Sequence, residues 1–206
     1  MPGPDRPWNH NTHYHPFVLA AVPPGSRAAL DVGCGEGLLT RELSAVVPSV
    51  IGIDRDGPIL QRARTHAGGP GIEYLQGNVL THPFEPESFD MVASIATLHH
   101  MDTATGLSRM RDLLRPGGVL AVVGLPRSRW PQDLPYAVAG VVAHRWHRWR
   151  RGGEAEMAAP TAWPPPDTFA QVGEVARRLL PGARLRRHVL WRYSLLWSKP
   201  VTAGRA

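Results

Sequence analysis

Gly33, Gly35 and Gly37 fall at every second position in Leu30-Asp31-Val32-Gly33-Cys34-Gly35-Glu36-Gly37-Leu38-Leu39-Thr40, between an apolar run that reads as a strand and one that opens a helix. Glycine allows tight turns and lets backbone come close to a ligand, and the helix that follows turns its first amide groups on that ligand. The chemistry such a loop serves is the holding of a nucleotide-like cofactor. A second strand-like run, Val50-Ile51-Gly52-Ile53-Asp54, places a carboxylate 17 residues beyond Gly37. At the carboxyl end of a strand that group can accept hydrogen bonds from both hydroxyls of a ribose. The dinucleotide fingerprint G-x-G-x-x-G fails here, because Leu38 stands where its last glycine belongs.

With its G-x-G-x-G spacing, LDVGCGEG (30–37) resembles the first motif of the class I S-adenosylmethionine-dependent methyltransferases. The resemblance continues through Gly77-Asn78-Val79, similar to that family's adenine-contacting turn. It extends to FDMVASIATLHHMD (89–102), similar to its fourth strand and following loop, and to LLRPGGVLAVVGL (113–125), similar to a helix end and fifth strand. Within the superfamily the chain is most similar to the small-molecule branch that includes quinone-biosynthesis C-methyltransferases and natural-product enzymes. The resemblance implies S-adenosylmethionine as cofactor, held by Asp31, Gly33, Cys34, Gly35, Gly37, Asp54, Arg55, Asn78, Val79 and Ser94. Asp31 would hold the methionine ammonium through the loop and Asp54 the ribose. Arg55 has two readings, a cation-π contact over the adenine face or a solvated surface arginine. Asn78 departs from the family's commoner Asp, keeping a carbonyl acceptor but losing the charge.

The sulfonium methyl is electrophilic already, so the protein's task is to align an acceptor for in-line displacement and exclude water. A base is needed only if the acceptor must lose a proton. His99 is the candidate for that base, since an unperturbed imidazole titrates near neutrality. Tyr14, His15, His100 and Trp130 are candidates for substrate contact. Trp8, His10 and His13 join Tyr14 and His15 in an amino-terminal group that reads as a lid; without a cysteine or acidic partner it is not read as a metal site, and no metal is expected. Cys34 is the chain's one cysteine, which excludes an internal disulfide and a cysteine cluster, and it reads as a small residue tolerated against the ligand.

Positioning these residues takes an alternation of strands and helices over 206 residues. The expected fold is α/β: a Rossmann-like, doubly wound, seven-stranded and mostly parallel sheet with helices on both faces, the last strand antiparallel as the resemblance implies. Strands are predicted at 28–32, 50–54, 72–76, 89–95, 119–125, 183–191 and 193–199. Helices are predicted at 38–47, 58–67, 103–114 (stopped by Pro116-Gly117-Gly118), 131–151 and 167–180, the last with Asp167 as N-cap. One methyltransferase domain is expected, made of an arm or lid (1–27), a cofactor core (28–125), a helical insertion (126–182) and two final strands (183–200). Trp130, Tyr136, Trp146, Trp149 and Trp163 would supply aromatic surface for the acceptor.

The net charge of +6 is unevenly spread: residues 1–126 hold 9 basic and 12 acidic side chains, and 127–192 hold 12 basic and 5 acidic. The segment His144-Arg145-Trp146-His147-Arg148-Trp149-Arg150-Arg151 has three readings: a helix end docked by its tryptophans with solvated arginines, a membrane-surface contact, or a nucleic-acid contact. The first is preferred and no nucleic-acid partner is expected, leaving a small-molecule acceptor and a peripheral membrane contact. With no signal peptide or apolar span of about 18 residues in view, a cytoplasmic protein is expected. The alternatives to small-molecule transfer are an RNA methyltransferase, favoured by the basic second half, and a cofactor-binding protein without methyl transfer, a scaffold or pericyclase-like catalyst.

Overall fold

The computed structural model describes residues 8–66, 69–151 and 164–201, so Trp163 lies outside the described residues. After a 3-10 turn at Thr12–Tyr14, the elements are α1 (His15–Leu19), β1 (Ala28–Val32), α2 (Leu38–Ser44), β2 (Ser49–Asp54), α3 (Gly57–Thr65) and β3 (Ile72–Gln76). They continue with β4 (Phe89–Ile95), a 3-10 turn at Leu98–His100, α4 (Thr103–Leu113), β5 (Leu114–Gly124), α5 (Leu134–Arg151), α6 (Phe169–Leu179), β6 (Arg184–His188) and β7 (Arg192–Ser198).

The strands form one sheet in the order β3-β2-β1-β4-β5-β7-β6. β3, β2, β1, β4 and β5 are mutually parallel, and β7 runs antiparallel to both β5 and β6. Alternate residues of the central strands feed opposite faces, as period-2 side chains must. Leu30, Val92, Leu120 and Val122 pack with Leu107, Met110 and Leu113 of α4 and Ala176 of α6. Ala29, Met91, Ala93, Ala121 and Val123 pack with Val18 of α1 and Leu39 and Leu43 of α2. Both faces of the sheet centre are therefore buried, which explains the unbroken apolar strand sequences. The strand order reverses between β1 and β4, and in sheets of this kind a crevice opens there beyond the carboxyl ends of the strands.

Several boundaries differ from the sequence reading. α4 ends at Leu113, one residue before the predicted Leu114, whose backbone is already extended (ψ 138°) two residues ahead of Pro116. β5 instead starts at Leu114, with the 115–118 stretch accommodated by a register shift between Phe89 and Met91 on β4. The N-cap of α6 is Thr168, not Asp167: Thr168 and Gln171 form a capping box. Asp167 has a different task, accepting a 2.7 Å hydrogen bond from the Thr103 hydroxyl at the start of α4. β6 stops at His188, and a turn follows in which Leu190 and Trp191 take φ of 62° and 55°. No glycine or asparagine marks that turn, so the sequence carries no signal for it.

The basic-aromatic end of α5 also reverses the sequence reading. Trp146 and Trp149 are exposed while His144 and His147 face inward. The His144 ring lies 2.9 Å from His10 (Nδ1 to Nε2), and the His147 ring stacks on Trp8 at 5.3 Å. One turn back, Gly140 sits on Trp191 so closely that a Cβ would overlap the indole. α5 thus leans on the amino-terminal arm through its histidines and not through its tryptophans.

Candidate active site

A cavity of about 620 Å³ opens at the carboxyl ends of β1, β2 and β4. Its floor is the glycine loop. Gly33, Gly35 and Gly37 all have positive φ (73°, 52° and 72°), but they are needed for different reasons. A side chain on Gly33 would overlap Thr97, and one on Gly37 would overlap Tyr74, so those two glycines close the loop against its own neighbours. A Cβ on Gly35 meets nothing within 4 Å. Gly35 is the position where bare backbone faces the open cavity.

Asp54 fixes this floor. Its Oδ2 accepts from the Gly35 N–H at 2.9 Å and its Oδ1 from the Asp56 N–H at 3.0 Å, so the carboxylate ties the loop to the end of β2. Each oxygen keeps a further lone pair for a ligand hydroxyl. The Gly33 and Cys34 amides both donate to the Ile53 carbonyl, at 2.8 and 3.2 Å, which completes the clamp.

Asp31 lies behind the loop, fully buried on the α2 side, where it accepts 2.7 Å from the Thr40 hydroxyl. Burial, reinforced by the negative charges of Asp54 and Glu42 and opposed by the Thr40 hydrogen bond, pushes its pKa up to about 7. Burial first, then the charges of Asp31 and Asp54, raises the Cys34 thiol well above its ordinary range, so it remains protonated and unreactive.

The opposite wall comes from the arm. Asn9 Oδ1 accepts from the amides of Asn11 and Thr12, both at 2.9 Å, a turn that places Asn9, Asn11 and Thr12 against the cavity. The buried Arg192 on β7 donates to Asn11 Oδ1 at 2.9 Å and so anchors that wall to the sheet. His15 completes it, with Nδ1 held 3.1 Å from Glu42 Oε2 on α2, which leaves Nε2 as the ring nitrogen that can serve the cavity.

Of the residues singled out in the sequence, Asp31, Gly33, Cys34, Gly35, Asp54, Arg55, Asn78, Val79, His15 and His100 line the cavity. Gly37, Ser94, Tyr14, His99 and Trp130 are not among its lining residues. Ser94 is buried and donates to the Val32 carbonyl at 3.3 Å, which joins β4 to β1. The Tyr14 hydroxyl donates to the Val189 carbonyl at 2.7 Å, which fastens the arm to the turn before β7. Trp130 is exposed. His99 lies beside His100 with ring centroids 4.1 Å apart; burial, then the His100 and Arg192 charges, lowers its pKa to about 4. Asn78 Oδ1 accepts from the Leu80 amide at 3.1 Å, which orients the side chain and leaves a second lone pair and the NH₂ for a ligand.

The arm wall was visible only in outline in the sequence. The Asn9-x-x-Thr12 pattern is a local capping signal that could have located its turn. Ala96 was missed altogether: it lines the cavity at the exit of β4 with φ of 53°, a conformation that costs a non-glycine residue energy and is concentrated at functional sites. Five carboxylates, Asp31, Glu36, Asp54, Asp56 and Asp102, line the cavity against one arginine, Arg55, which is exposed. Such a cavity attracts a cationic ligand and opposes a pyrophosphate. Among the described residues, no group of three or more His, Cys, Asp and Glu side chains is placed to hold a metal ion.

Known proteins place this geometry. The family described as "Methyltransferase domain" matches residues 30–122. An uncharacterized methyltransferase of Mycobacterium tuberculosis is 40% identical over 198 residues, covering 96% of this chain and 100% of its own. A demethylmenaquinone methyltransferase of Roseiflexus castenholzii is 32% identical over 132 residues, 63% of this chain and 53% of its own. Among solved structures, phosphoethanolamine N-methyltransferase 2 of Haemonchus contortus, in complex with phosphomonomethylethanolamine and S-adenosylhomocysteine, aligns with a TM-score of 0.65. Its identity is 16%, covering 91% of this chain and 52% of that one.

Proposed function

The chain belongs to the class I S-adenosylmethionine-dependent methyltransferases, and from that premise we propose that its acceptor is a small molecule, aligned in the cavity between the glycine loop and the amino-terminal arm. The cofactor, when bound, supplies an electrophilic sulfonium methyl for in-line displacement. The residues present suit it: Gly35 leaves backbone bare where a ligand must approach, Asp54 has lone pairs for a ribose, and Asp31 is a buried carboxylate that gains most from a cation.

The observation that carries the acceptor reading is the arm itself. Asn9, Asn11, Thr12 and His15 stand with the loop around a cavity of about 620 Å³. That falls within the range of about 300–1,000 Å³ typical of small-ligand sites. A polynucleotide needs a basic groove, whereas the charged lining of this cavity is mostly acidic. Its polar wall residues are short amides, a hydroxyl and two imidazoles, which can hydrogen-bond a hydroxyl or amine acceptor and set its approach.

If the acceptor must lose a proton, His15 and His100 are the imidazoles that border the cavity, and His15 is the better held because Glu42 fixes its ring. His99, outside the lining and with a lowered pKa, then serves to pack behind His100. The test is transfer of labelled methyl from the cofactor to a panel of quinols, phenols and amines and, in parallel, to total RNA. Label in a small acceptor supports the reading, and label only in RNA overturns it.

A further inference from the structure

α5 is built inside out. Its inward face carries Gly140, Ala143, His144 and His147, with Tyr136, 45% exposed, at the same side of its first turn, and its outward face carries Leu134, Val138, Val141, Val142, Trp146 and Trp149. Val142 is 63% exposed and Trp149 75%. At 100° per residue, the outward apolar residues, with Arg145 and Arg148 among them, fall on one half of the helix. The orientation is locked: Arg187 lies over the Tyr136 ring at 4.1 Å, Gly140 rests on Trp191, and His144 and His147 engage His10, Trp8 and His13. Turning the valines inward would break every one of these contacts. An apolar stripe held outward in this way marks a surface that something covers.

We propose that the outward face of α5 is a docking surface for an anionic lipid bilayer. The charge pattern selects that occupant. Residues 134–151 contain no acidic side chain, and Arg145, Arg148 and Arg150 are exposed beside the two tryptophans. The Arg150 guanidinium lies 5.8 Å from the Trp146 ring centroid, and the two indoles are 5.3 Å apart. Aliphatic residues that enter the acyl boundary, tryptophans at the headgroup level and arginines for anionic lipid are what an interfacial helix needs. The helix is about 27 Å long at 1.5 Å per residue, enough to lie along a bilayer. No helix among the described residues is long and apolar enough to cross one. A second copy packed on the same stripe would bring arginine clusters of like charge into a drying interface, and RNA would leave Leu134, Val138, Val141 and Val142 without a partner. α5 also grips the arm whose residues Asn9, Asn11 and Thr12 wall the cavity, so the docked face lies one element away from the site.

The full chain is tested by flotation with vesicles of phosphatidylcholine containing about a third phosphatidylglycerol, with pure phosphatidylcholine and salt as controls. The expected result is flotation with the anionic vesicles that falls at least about fivefold in pure phosphatidylcholine or at high salt. Val138→Asp/Val142→Asp, and separately Trp146→Ala/Trp149→Ala, should each lower it by at least about fivefold, while affinity for S-adenosylhomocysteine stays within about twofold and so reports an intact fold. Three results overturn the proposal: no flotation with anionic vesicles, flotation indifferent to the valine and tryptophan replacements, or a dimer that the replacements dissociate without any vesicle binding. Binding to RNA that survives loss of the valines, with no flotation, would assign the face to a polyanion instead.

Discussion

Two surfaces of this molecule are opposites. The cavity at the strand ends is concave and lined by five carboxylates and one arginine, whereas the outward face of α5 is convex, apolar and free of acidic residues. They draw on opposite halves of the chain, matching the split between a mildly acidic 1–126 and a basic 127–192. The contrast teaches that net charge is a poor guide to what this protein binds. The value of +6 is dominated by the second half, while the charged lining of the cavity at the strand ends is mostly acidic. It also separates the two in experiment: changes at the cavity should alter cofactor binding, and changes on α5 should leave it alone.

The largest effect is expected at Gly35. Gly35→Val places a β-branched side chain at φ of 52°, where it is strained, and projects it into the open cavity. Methyl transfer and cofactor binding should both fall by about 100-fold or more, the scale of a disrupted ligand approach. Near-normal binding in the variant would mean that the ligand does not lie against the loop. Asp54→Ala should come next, weakening the cofactor by about 1–3 kcal/mol through lost charged hydrogen bonds and a loosened loop. An unchanged affinity by calorimetry would move the ribose elsewhere.

Asp31 gives the contrast a pH signature. With a pKa pushed up to about 7, the free protein keeps this proton where an ordinary carboxylate has lost it. Ionising Asp31 costs the fold stability, so its contribution declines as pH rises from the ordinary carboxylate range to about 7 and is level above that. A bound ammonium reverses the preference and expels the proton. Affinity for S-adenosylhomocysteine should therefore drop about fivefold between pH 7 and pH 6, a dependence that Asp31→Asn should flatten. A flat profile in the unaltered protein would count against a cation beside Asp31.

The smallest effect is expected on α5. Arg145→Gln/Arg148→Gln/Arg150→Gln should change cofactor affinity by less than about twofold, because exposed charges are screened within about 8 Å. A collapse of cofactor binding in a folded triple variant would show that the two surfaces are coupled.

How legible these surfaces were in the sequence follows the range of the interactions that make them. β1 and β4 fall where the apolar runs place them, at Ala28–Val32 and Phe89–Ile95, because the runs are long enough to declare burial on both faces, while the edge strand β3, Ile72–Gln76, keeps the predicted bounds with a half-exposed, polar-apolar alternation. The loop from Gly33 to Gly37 and the carboxylate of Asp54 are local patterns too, and the fold brings them together by parallel pairing of β1 with β2. What escaped the reading is set by partners far along the chain. His144 turns inward, half-buried, because His10 meets it across 134 positions, and Asn11 becomes cavity wall because Arg192 holds it across 181. Trp146 and Trp149 looked like the docking residues because size and aromaticity predict burial, yet the space beneath α5 belongs to Trp191 and the arm. The capping box of Thr168 and Gln171 is a local pattern too, in competition with the neighbouring Asp167 for the N-cap.

The central claim is that the cavity is built for a cationic cofactor held on the glycine loop. Titration calorimetry of the full chain with S-adenosylmethionine and with NAD, under one set of conditions near neutral pH, tests it most directly. The account predicts saturable binding of S-adenosylmethionine and none measurable for NAD, whose pyrophosphate would meet Asp31, Asp54 and Asp56 without the glycine that Leu38 replaces. NAD binding more tightly than S-adenosylmethionine would contradict it.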